Sequence, residues 1–167
     1  MVSKGGEKTA TSDREIITTR LFDAPRELVF KMWTNREHIE RWWGPNRFTT
    51  TTHEMEVRAG GVWRFIMHGP DGTDYPNKIV YEEILEPERV VYTHGDDSEG
   101  KGREFQTTVT FEEQRGKTLL TMRAVFATAA ERDRVVEEVA AIEGAKQTLG
   151  RLAEYVAKTE GVIHRVV

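Results

Sequence analysis

The sequence predicts an α+β fold in which an antiparallel β-sheet packs against one long C-terminal helix. From residue 48 to 126, apolar and polar residues alternate in six stretches joined by short turns. A helix over residues 129–160 would be about 48 Å long and needs an extended apolar surface, which the buried face of such a sheet supplies. The apolar residues of this helix are three, four or seven positions apart and share one face: Val135, Val139, Ile142, Leu149, Leu152 and Val156.

The ends of this long helix carry capping signals. Thr128 followed by Glu131 forms a capping box, in which the hydroxyl accepts from an early backbone N–H. Gly161 is suited to end the helix. Gly144 and Gly150 weaken its middle and mark candidate bends or close approaches.

The N-terminal part of the predicted fold contains one strand and two short helices. Residues 15–22 are rich in β-branched side chains and predict the first strand. Pro25 suits the start of a helix, with Asp23 or Ala24 as the cap, because proline lacks an N–H that the first turn leaves unpaired. Residues 36–43 predict a second helix, which a Gly-Pro pair ends.

The six strands of the meander each have an inward and an outward face, because successive side chains alternate. In the second of them, Trp63, Phe65 and Met67 are predicted to point inward, and Arg64 and His68 outward. The predicted strands span residues 48–58, 62–68, 78–85, 89–94, 104–112 and 118–126. The predicted order of elements is therefore β-α-α-β6-α.

Composition limits the classes of function. The 167 residues carry 24 basic and 28 acidic side chains, a net charge of −4, which gives no support to a nucleic-acid or membrane partner. Without cysteine there is no disulfide or thiolate chemistry. We expect a flexible tail at residues 1–12, a single domain at 13–161 and a short tail at 162–167. The N-terminus has no apolar core typical of a signal peptide, so a cytoplasmic location is expected.

Several short stretches, in this order, resemble one known family. They are Ala24-Pro25 with Leu28, Val29 and Phe30, then Arg41-Trp42-Trp43-Gly44-Pro45, then Arg58 with Gly60-Gly61 and Trp63, and finally Tyr81 with Glu83-Ile84. The chain looks like the helix-grip fold of the START and birch-pollen-allergen superfamily. Within it, the chain resembles small bacterial stand-alone domains of the family named for the activator of the heat-shock ATPase. The resemblance implies a curved sheet wrapped around the C-terminal helix, with a cavity between them.

The resemblance implies that a small hydrophobic or aromatic molecule binds in this cavity. The residues expected to form the apolar wall are Trp33, Trp42, Trp63, Phe65, Met67, Tyr81, Tyr92, Leu149 and Leu152. Polar side chains at Glu83, His94 and Arg123 are expected to orient the ligand. Phe105 is a candidate extension of the wall.

Two of these assignments leave alternatives open. Trp42 and Trp43 are adjacent, so on a helix they point in different directions; one is expected in the core and the other at the cavity mouth. Glu83 and Arg123 are candidates for inward-pointing groups, either as a mutual ion pair or, for a buried carboxylate with a raised pKa, as an acid or base.

No cofactor or metal is expected. His53, His68 and His94 lie on different strands, and their spacing matches no metal-binding motif. The sequence also contains no phosphate-binding loop and no GxSxG elbow.

The sequence therefore predicts a small-molecule-binding domain, and two alternatives remain. One is a cyclase-like or hydrolase-like enzyme that uses the same cavity, with Glu83 as the titratable group. The other is a protein-interaction role, as a chaperone-ATPase activator or as a homodimer formed through strand edges or the early helices. The second alternative requires an exposed apolar patch.

Overall fold

The computed structural model describes residues 12–96, 104–138 and 140–166, and contains a curved seven-stranded antiparallel sheet with helices on its inner face. The strands are β1 (Glu15–Phe22), β2 (Thr49–Met55), β3 (Val62–His68), β4 (Asp74–Leu85), β5 (Arg89–Asp96), β6 (Phe105–Gln114) and β7 (Lys117–Phe126). The helices are α1 (Arg26–Thr34), α2 (Arg36–Ile39), α3 (Ala129–Glu138) and α4 (Ala141–Val166). The predicted α+β class is confirmed. The predicted N-terminal tail falls outside the described residues except for Ser12, and the division of the chain into tails and one domain stays a prediction.

The sheet is a meander closed by its first strand. Its order is β1-β7-β6-β5-β4-β3-β2, so each of the strands from β2 to β7 pairs with its neighbour in sequence. β1 pairs with β7 over its whole length, from Glu15 opposite Val125 to Phe22 opposite Thr118. The chain therefore enters the sheet at one edge, crosses through α1 and α2, and returns strand by strand from the other edge.

Several element ends differ from the prediction. The helix α1 is capped by Pro25 itself rather than by Asp23 or Ala24, and the backbone N–H groups of Leu28 and Val29 donate to the Pro25 carbonyl. The second helix is a single turn that ends at Ile39, four residues earlier than predicted. β4 begins at Asp74 rather than at residue 78, because its first residues pair with the end of β3.

The C-terminal helix is divided at Ala140, which corrects the prediction of one continuous helix. Ala140 has a φ of 55°, in the left-handed region, so a right-handed helix cannot pass through it. Its carbonyl accepts from the Gly144 N–H at 2.9 Å and opens α4. Ile142, predicted to face inward, is 36% exposed. α4 continues to Val166, beyond Gly161, where the sequence predicted its end.

The two helices on either side of Ala140 contact different parts of the sheet. α3 packs on β1 and β7, where the Arg132 Nε donates to the Glu15 carbonyl at 3.3 Å. Its N-terminus is capped as predicted, since the Thr128 hydroxyl accepts from the Glu131 N–H at 3.0 Å. α4 packs on β1 and α1. Val139, which belonged to the predicted apolar face, lies outside the described residues.

The outer face of the sheet carries several pairs of polar side chains. Arg64 pairs with Glu54 at 3.1 Å, and Glu82 accepts from Gln106 at 2.6 Å and from the Thr93 hydroxyl. The inner face carries the apolar side chains that meet the helices. No helix in the described part of the chain is long and apolar enough to cross a membrane.

Candidate functional site

A cavity of about 220 Å³ lies between the sheet and the N-terminal half of α4. The sheet contributes residues from β1, β3, β5, β6 and β7, and the turn after α2 closes one side. The lining residues are Ile16, Thr18, Trp43, Gly44, Pro45, Met67, Tyr92, His94, Phe105, Thr107, Met122, Ala124, Phe126, Ala140, Ala141, Gly144, Ala145 and Thr148. Its surface is predominantly apolar, and it contains no charged carboxylate or ammonium group among the described residues.

The cavity exists because α4 changes the size of its inward side chains along its length. Its first two turns present small residues to the sheet, namely Ala141, Gly144, Ala145 and Thr148. Beyond them the helix presents Leu149, Leu152 and Val156, which are at most 3% exposed and belong to the main hydrophobic cluster. We call the first region, with its cavity-lining residues, the hollow end. We call the second, where the large α4 residues meet Trp33, Trp42 and Trp63, the packed end.

The turn that closes the cavity, residues 43–46, is fixed to α4 by two polar side chains. The Arg151 Nη1 donates to the carbonyls of Trp43, Gly44 and Pro45 at 3.3, 2.9 and 2.8 Å. One turn earlier, the Gln147 Oε1 accepts from the Asn46 N–H at 3.0 Å. Partial burial lowers the pKa of Arg151 from its usual value, and the three carbonyls compensate for the water that its guanidinium loses.

Glycine is required at position 44 of this turn. Its φ is 102°, which side chains rarely adopt, and a Cβ there would lie 2.9 Å from the Met67 Cε on the cavity wall. The turn therefore approaches β3 closely enough to form a wall of the hollow end.

His94 provides an imidazole to this mostly apolar wall. Its Nε2 lies 2.9 Å from the Asn77 Oδ1 on the neighbouring strand β4. Aromatic rings surround it, with centroid distances of 4.9 Å to Phe105, 6.0 Å to Phe65 and 6.3 Å to Trp43. Burial lowers the pKa of His94 to about 4, so the imidazole is neutral near pH 7.

Tyr92, two residues earlier on β5, also lines the cavity. Burial raises the pKa of Tyr92 well above its usual value, while a hydrogen bond with Thr107 opposes this shift. Its phenol is therefore neutral, and at physiological pH both titratable groups of the cavity wall are uncharged. The arrangement favours an uncharged ligand.

Three of the twelve predicted site residues, Met67, Tyr92 and His94, line the cavity. Another seven are buried in the hydrophobic core, each 2% exposed or less: Trp33, Trp42, Trp63, Phe65, Tyr81, Leu149 and Leu152. These side chains belong to the main hydrophobic cluster. Their role in ligand binding stays a prediction of the sequence.

Of the two adjacent indoles, Trp43 rather than Trp42 lines the cavity. Trp42 is fully buried, and its indole N–H donates to the Met32 carbonyl at 3.2 Å. Trp43 belongs to the same hydrophobic cluster and also borders the cavity, whereas Trp42, the ring selected from the sequence, does not line it.

Glu83 does not point inward, which corrects the prediction. A β-bulge between Tyr81 and Glu83 shifts the register against β5, so the alternation that buries Ile79 and Tyr81 is reversed after Tyr81. Glu83 instead pairs with Arg89 at 2.8 Å on the exposed side. The Arg89 hydrogen bonds lower the pKa of the Glu83 carboxyl, the opposite of what a buried acid would show.

Arg123 also points to the outer face, which is a second correction. It lies between Met122 and Ala124, and since both of these line the cavity, strand alternation turns Arg123 away from it. Its guanidinium pairs with Glu15 at 2.9 Å. The mutual Glu83–Arg123 pair considered from the sequence is therefore absent from the structure.

Most of the α4 wall and the cavity-lining ends of β6 and β7 were not predicted from the sequence. Thr107, Phe126 and Ala145 were not identified, and Phe105 was named only as an extension. One signal was available, because the small residues at 141, 144, 145 and 148 share one helix face at three- and four-residue spacing. Small residues on an inward face predict either a close approach or a space.

The three histidines considered as metal ligands lie in three different surroundings. His53 is exposed on β2, and His94 lies in the cavity wall. His68 bridges Asp74, at 2.7 Å, and Thr51, at 2.8 Å, on the outer face of the sheet. Within the described ranges, no group of three or more metal-binding side chains lies together.

The Thr51–His68–Asp74 row has the order hydroxyl, imidazole, carboxylate that nucleophilic hydrolases use. The first and last of these residues are exposed, and none of the three lines the cavity. In this position the row pairs three neighbouring strands, β2, β3 and β4, and we assign it a structural role.

Comparison with known proteins places these features in a family. The family model described as activator of Hsp90 ATPase homolog 1-like protein matches residues 23–157. A search of curated protein sequences finds no significant match.

Solved structures from several bacteria share the fold. A protein from Nitrosomonas europaea is 20% identical, with a TM-score of 0.80 over 90% of this chain and 98% of its own. One from Arthrobacter aurescens is 22% identical, with a TM-score of 0.82 over 89% of this chain and 88% of its own. One from Mycobacterium smegmatis is 23% identical, with a TM-score of 0.79 over 89% of this chain and 94% of its own. At these identities the likeness shows the fold.

Proposed function

Since the chain belongs to the family of activator of Hsp90 ATPase homolog 1-like proteins, we propose that it is a binding domain for a small hydrophobic or aromatic molecule. The observation that carries this proposal is the apolar cavity at the hollow end, about 220 Å³ in volume. Protein interiors are usually packed to crystal-like density, with few voids larger than a water molecule. An apolar space of ~150 Å³ is already enough to bind benzene, so this cavity is suited to a compound of one or two rings.

Apolar burial supplies most of the affinity in this proposal. A two-ring compound that buries about 250 Å² gains roughly 6 kcal/mol at ~25 cal/mol per Å². After the cost of association, such a ligand is expected to bind in the micromolar to millimolar range. The aromatic walls at Trp43, Phe105 and Phe126 favour a flat ring over an aliphatic chain.

The enzyme alternative is not supported by Glu83, the residue on which it depended. It required Glu83 as a titratable group inside the cavity, and Glu83 pairs with Arg89 on the outer side of β4. The chaperone-partner and homodimer alternatives stay predictions. Ile17 and Leu21 on the edge strand β1 are 54% and 51% exposed, so light scattering is the direct test of a dimer.

A thermal-shift screen with one- and two-ring aromatic compounds tests the proposed function. Because a ligand that binds only the folded state stabilises it by mass action, a compound at a hundred times its Kd adds about 2.7 kcal/mol. Ala145→Leu fills the cavity from α4, and Lys146→Leu places the same side chain on the exposed side of that helix. Compounds are expected to raise the Tm of the wild type and of Lys146→Leu, but not of Ala145→Leu.

Two results would contradict the proposed function. One is a broad screen in which no compound raises the wild-type Tm. The other is an equal rise in Ala145→Leu, which would place the binding site elsewhere on the protein.

A further inference from the structure

A chain of hydrogen bonds fixes the proton of the His94 imidazole. It begins at the Tyr75 carbonyl, which accepts from the Asn77 Nδ2 at 2.8 Å. A carbonyl oxygen can only accept, so the NH₂ group of Asn77 must face it, and the amide oxygen must face His94. That oxygen can also only accept, and it lies 2.9 Å from the His94 Nε2. The Nε2 therefore carries the hydrogen and donates it to Asn77.

The other ring nitrogen is left as an acceptor. A neutral imidazole has one N–H, so with the hydrogen on Nε2 the Nδ1 carries a lone pair. Among the described residues, Nδ1 has no hydrogen-bond partner. Among the described residues, Nδ1 is also not a buried atom without a partner, so part of its surface stays accessible. Because His94 lines the cavity, this accessible lone pair belongs to the cavity wall.

The imidazole that carries this lone pair is surrounded by aromatic rings. Phe105, Phe65, Trp43 and Tyr92 have centroids between 4.9 and 6.4 Å from that of His94. Two other polar groups of the wall already have partners inside the protein. The Thr148 hydroxyl donates to the Gly144 carbonyl at 2.9 Å, and Thr107 hydrogen-bonds with Tyr92.

An accessible acceptor in an apolar cavity selects for a ligand with a donor. A ligand O–H that reaches Nδ1 exchanges its bond with water for one with the imidazole, whereas a ligand without a donor leaves the nitrogen unpaired. A carboxylate offers no hydrogen and loses its hydration on entry. An uncharged hydroxyl on an aromatic ring satisfies both the acceptor and the walls.

We propose that the ligand of the hollow end is a neutral aromatic compound bearing a hydroxyl group, a phenol or an aryl alcohol, whose O–H donates to the His94 Nδ1. This rests on the proposed function and adds the class of ligand. Asn77 acts as a positioning residue, since it holds the tautomer that exposes the acceptor.

The test compares 2-naphthol with 2-fluoronaphthalene by calorimetric titration. The two have nearly the same size, but aromatic fluorine cannot donate a hydrogen bond. For the wild type we expect 2-naphthol to bind about five- to tenfold more tightly, the usual net effect of one hydrogen bond. In His94→Phe, which keeps a ring but removes the acceptor, we expect the two affinities to become equal. In His53→Phe, the same change at an exposed histidine on β2, the preference should persist.

The outcomes separate this proposal from the proposed function. If both compounds bind the wild type with equal affinity, the cavity binds aromatic rings but His94 does not select a donor, and the inference is wrong. If the preference survives in His94→Phe, the acceptor lies elsewhere, and the inference is again wrong. If neither compound binds, the inference is wrong, and the broad thermal-shift screen decides the proposed function separately.

A second measurement needs no variant of His94. In ¹⁵N spectra of histidine-labelled wild-type protein, we expect His94 to carry its hydrogen on Nε2. Saturation with 2-naphthol should move the Nδ1 resonance towards that of a hydrogen-bonded acceptor, and 2-fluoronaphthalene should not. A hydrogen on Nδ1 in the free protein, or an unchanged Nδ1 in the complex, would overturn the inference.

Discussion

The two halves of α4 face the same sheet, but one half packs densely against it and the other leaves a cavity. At the packed end, Leu149 and Leu152 are 1% and 0% exposed and meet a cluster of tryptophans. At the hollow end, Ala141, Gly144 and Ala145 present almost no side chain, and the aromatic rings of β5 to β7 face a cavity. The sheet still supplies large aromatic residues at the hollow end, among them Tyr92, Phe105 and Phe126, so the small side chains of the helix account for much of the difference.

This difference separates stability from binding in one domain. A densely packed region stabilises the fold through apolar burial and close contacts. Where the sheet presents large side chains but the helix presents small ones, a space remains. A ligand can enter this space while the protein stays folded. The stability contributed by the packed end therefore offsets the packing that is lost at the hollow end.

The largest expected effect is a loss of stability when either of the two adjacent tryptophans is replaced. Trp42 belongs to the packed end, and Trp43 borders the cavity of the hollow end. Trp42→Ala removes a fully buried ring and its hydrogen bond to Met32, and we expect the free energy of unfolding to fall by about 4 kcal/mol. Trp43→Ala should cost about 1 kcal/mol less, because its ring already borders a cavity. Urea unfolding of both variants measures this. An equal or larger loss for Trp43→Ala would contradict the division into two ends.

The next effect concerns pH and His94. Its pKa is about 4 in the folded protein and about 6.5 when unfolded, so the unfolded state binds more protons between these values. Stability should fall as the pH is lowered from 7 to 4, by up to about 3 kcal/mol from this residue. His94→Phe lacks this contribution, whereas His53→Phe, at an exposed position, retains it.

The measurement is urea unfolding of the wild type and both variants at several pH values. Carboxylates contribute to all three curves alike, so the difference between them isolates the histidine. If the wild type and His94→Phe lost stability in parallel between pH 7 and pH 4, His94 would not be a buried neutral histidine.

A smaller effect concerns the turn that closes the cavity. Arg151→Met keeps the apolar stem but removes the donor shared by the carbonyls of Trp43, Gly44 and Pro45. We expect the free energy of unfolding to fall by about 2 kcal/mol. Lys146→Met, on the exposed side of α4, is the matched control and should change stability by less than about 0.5 kcal/mol. Similar results for both would show that the turn does not depend on Arg151.

The smallest effect is a gain in stability at the hollow end. Gly144→Ala adds a methyl group whose nearest neighbour, the Pro45 Cγ, would lie at 3.6 Å, an ordinary contact. Because alanine favours the helix more than glycine does, we expect a gain of about 0.5 kcal/mol. A thermal melt that shows a loss would mean that α4 approaches the turn more closely than described.

The fold was largely predictable from sequence because its signals are local. Two-residue alternation located β3 at its observed ends and placed Trp63 and Phe65 inward. The apolar spacing located the helix after Thr128, but it runs across Ala140 without interruption, so periodicity alone could not show the break. A left-handed alanine has no sequence signal comparable to that of glycine.

The site was less predictable because it depends on register and on side-chain volume. Strand alternation predicted Met67 on the inward face, and Met67, Tyr92 and His94 do line the cavity. A bulge after Tyr81 reversed the alternation on β4 and turned Glu83 outward. Large aromatic residues suggested a binding wall, and most of them belong to the main hydrophobic cluster instead. The cavity follows from the small residues of α4, since a space forms where a helix lacks side chains.

The central claim is that a ligand enters the hollow end and leaves the packed end unchanged. The indole N–H signals of Trp42 and Trp43 report on the two regions from adjacent residues. Because the chain has four tryptophans, two variants, Trp42→Phe and Trp43→Phe, assign these two signals. In a titration of ¹⁵N-labelled protein with 2-naphthol, the account predicts a saturable shift of the Trp43 signal and little change at Trp42, whose N–H is bonded to Met32. A saturable shift of Trp42 with Trp43 unchanged, or no saturable shift of either, would contradict it.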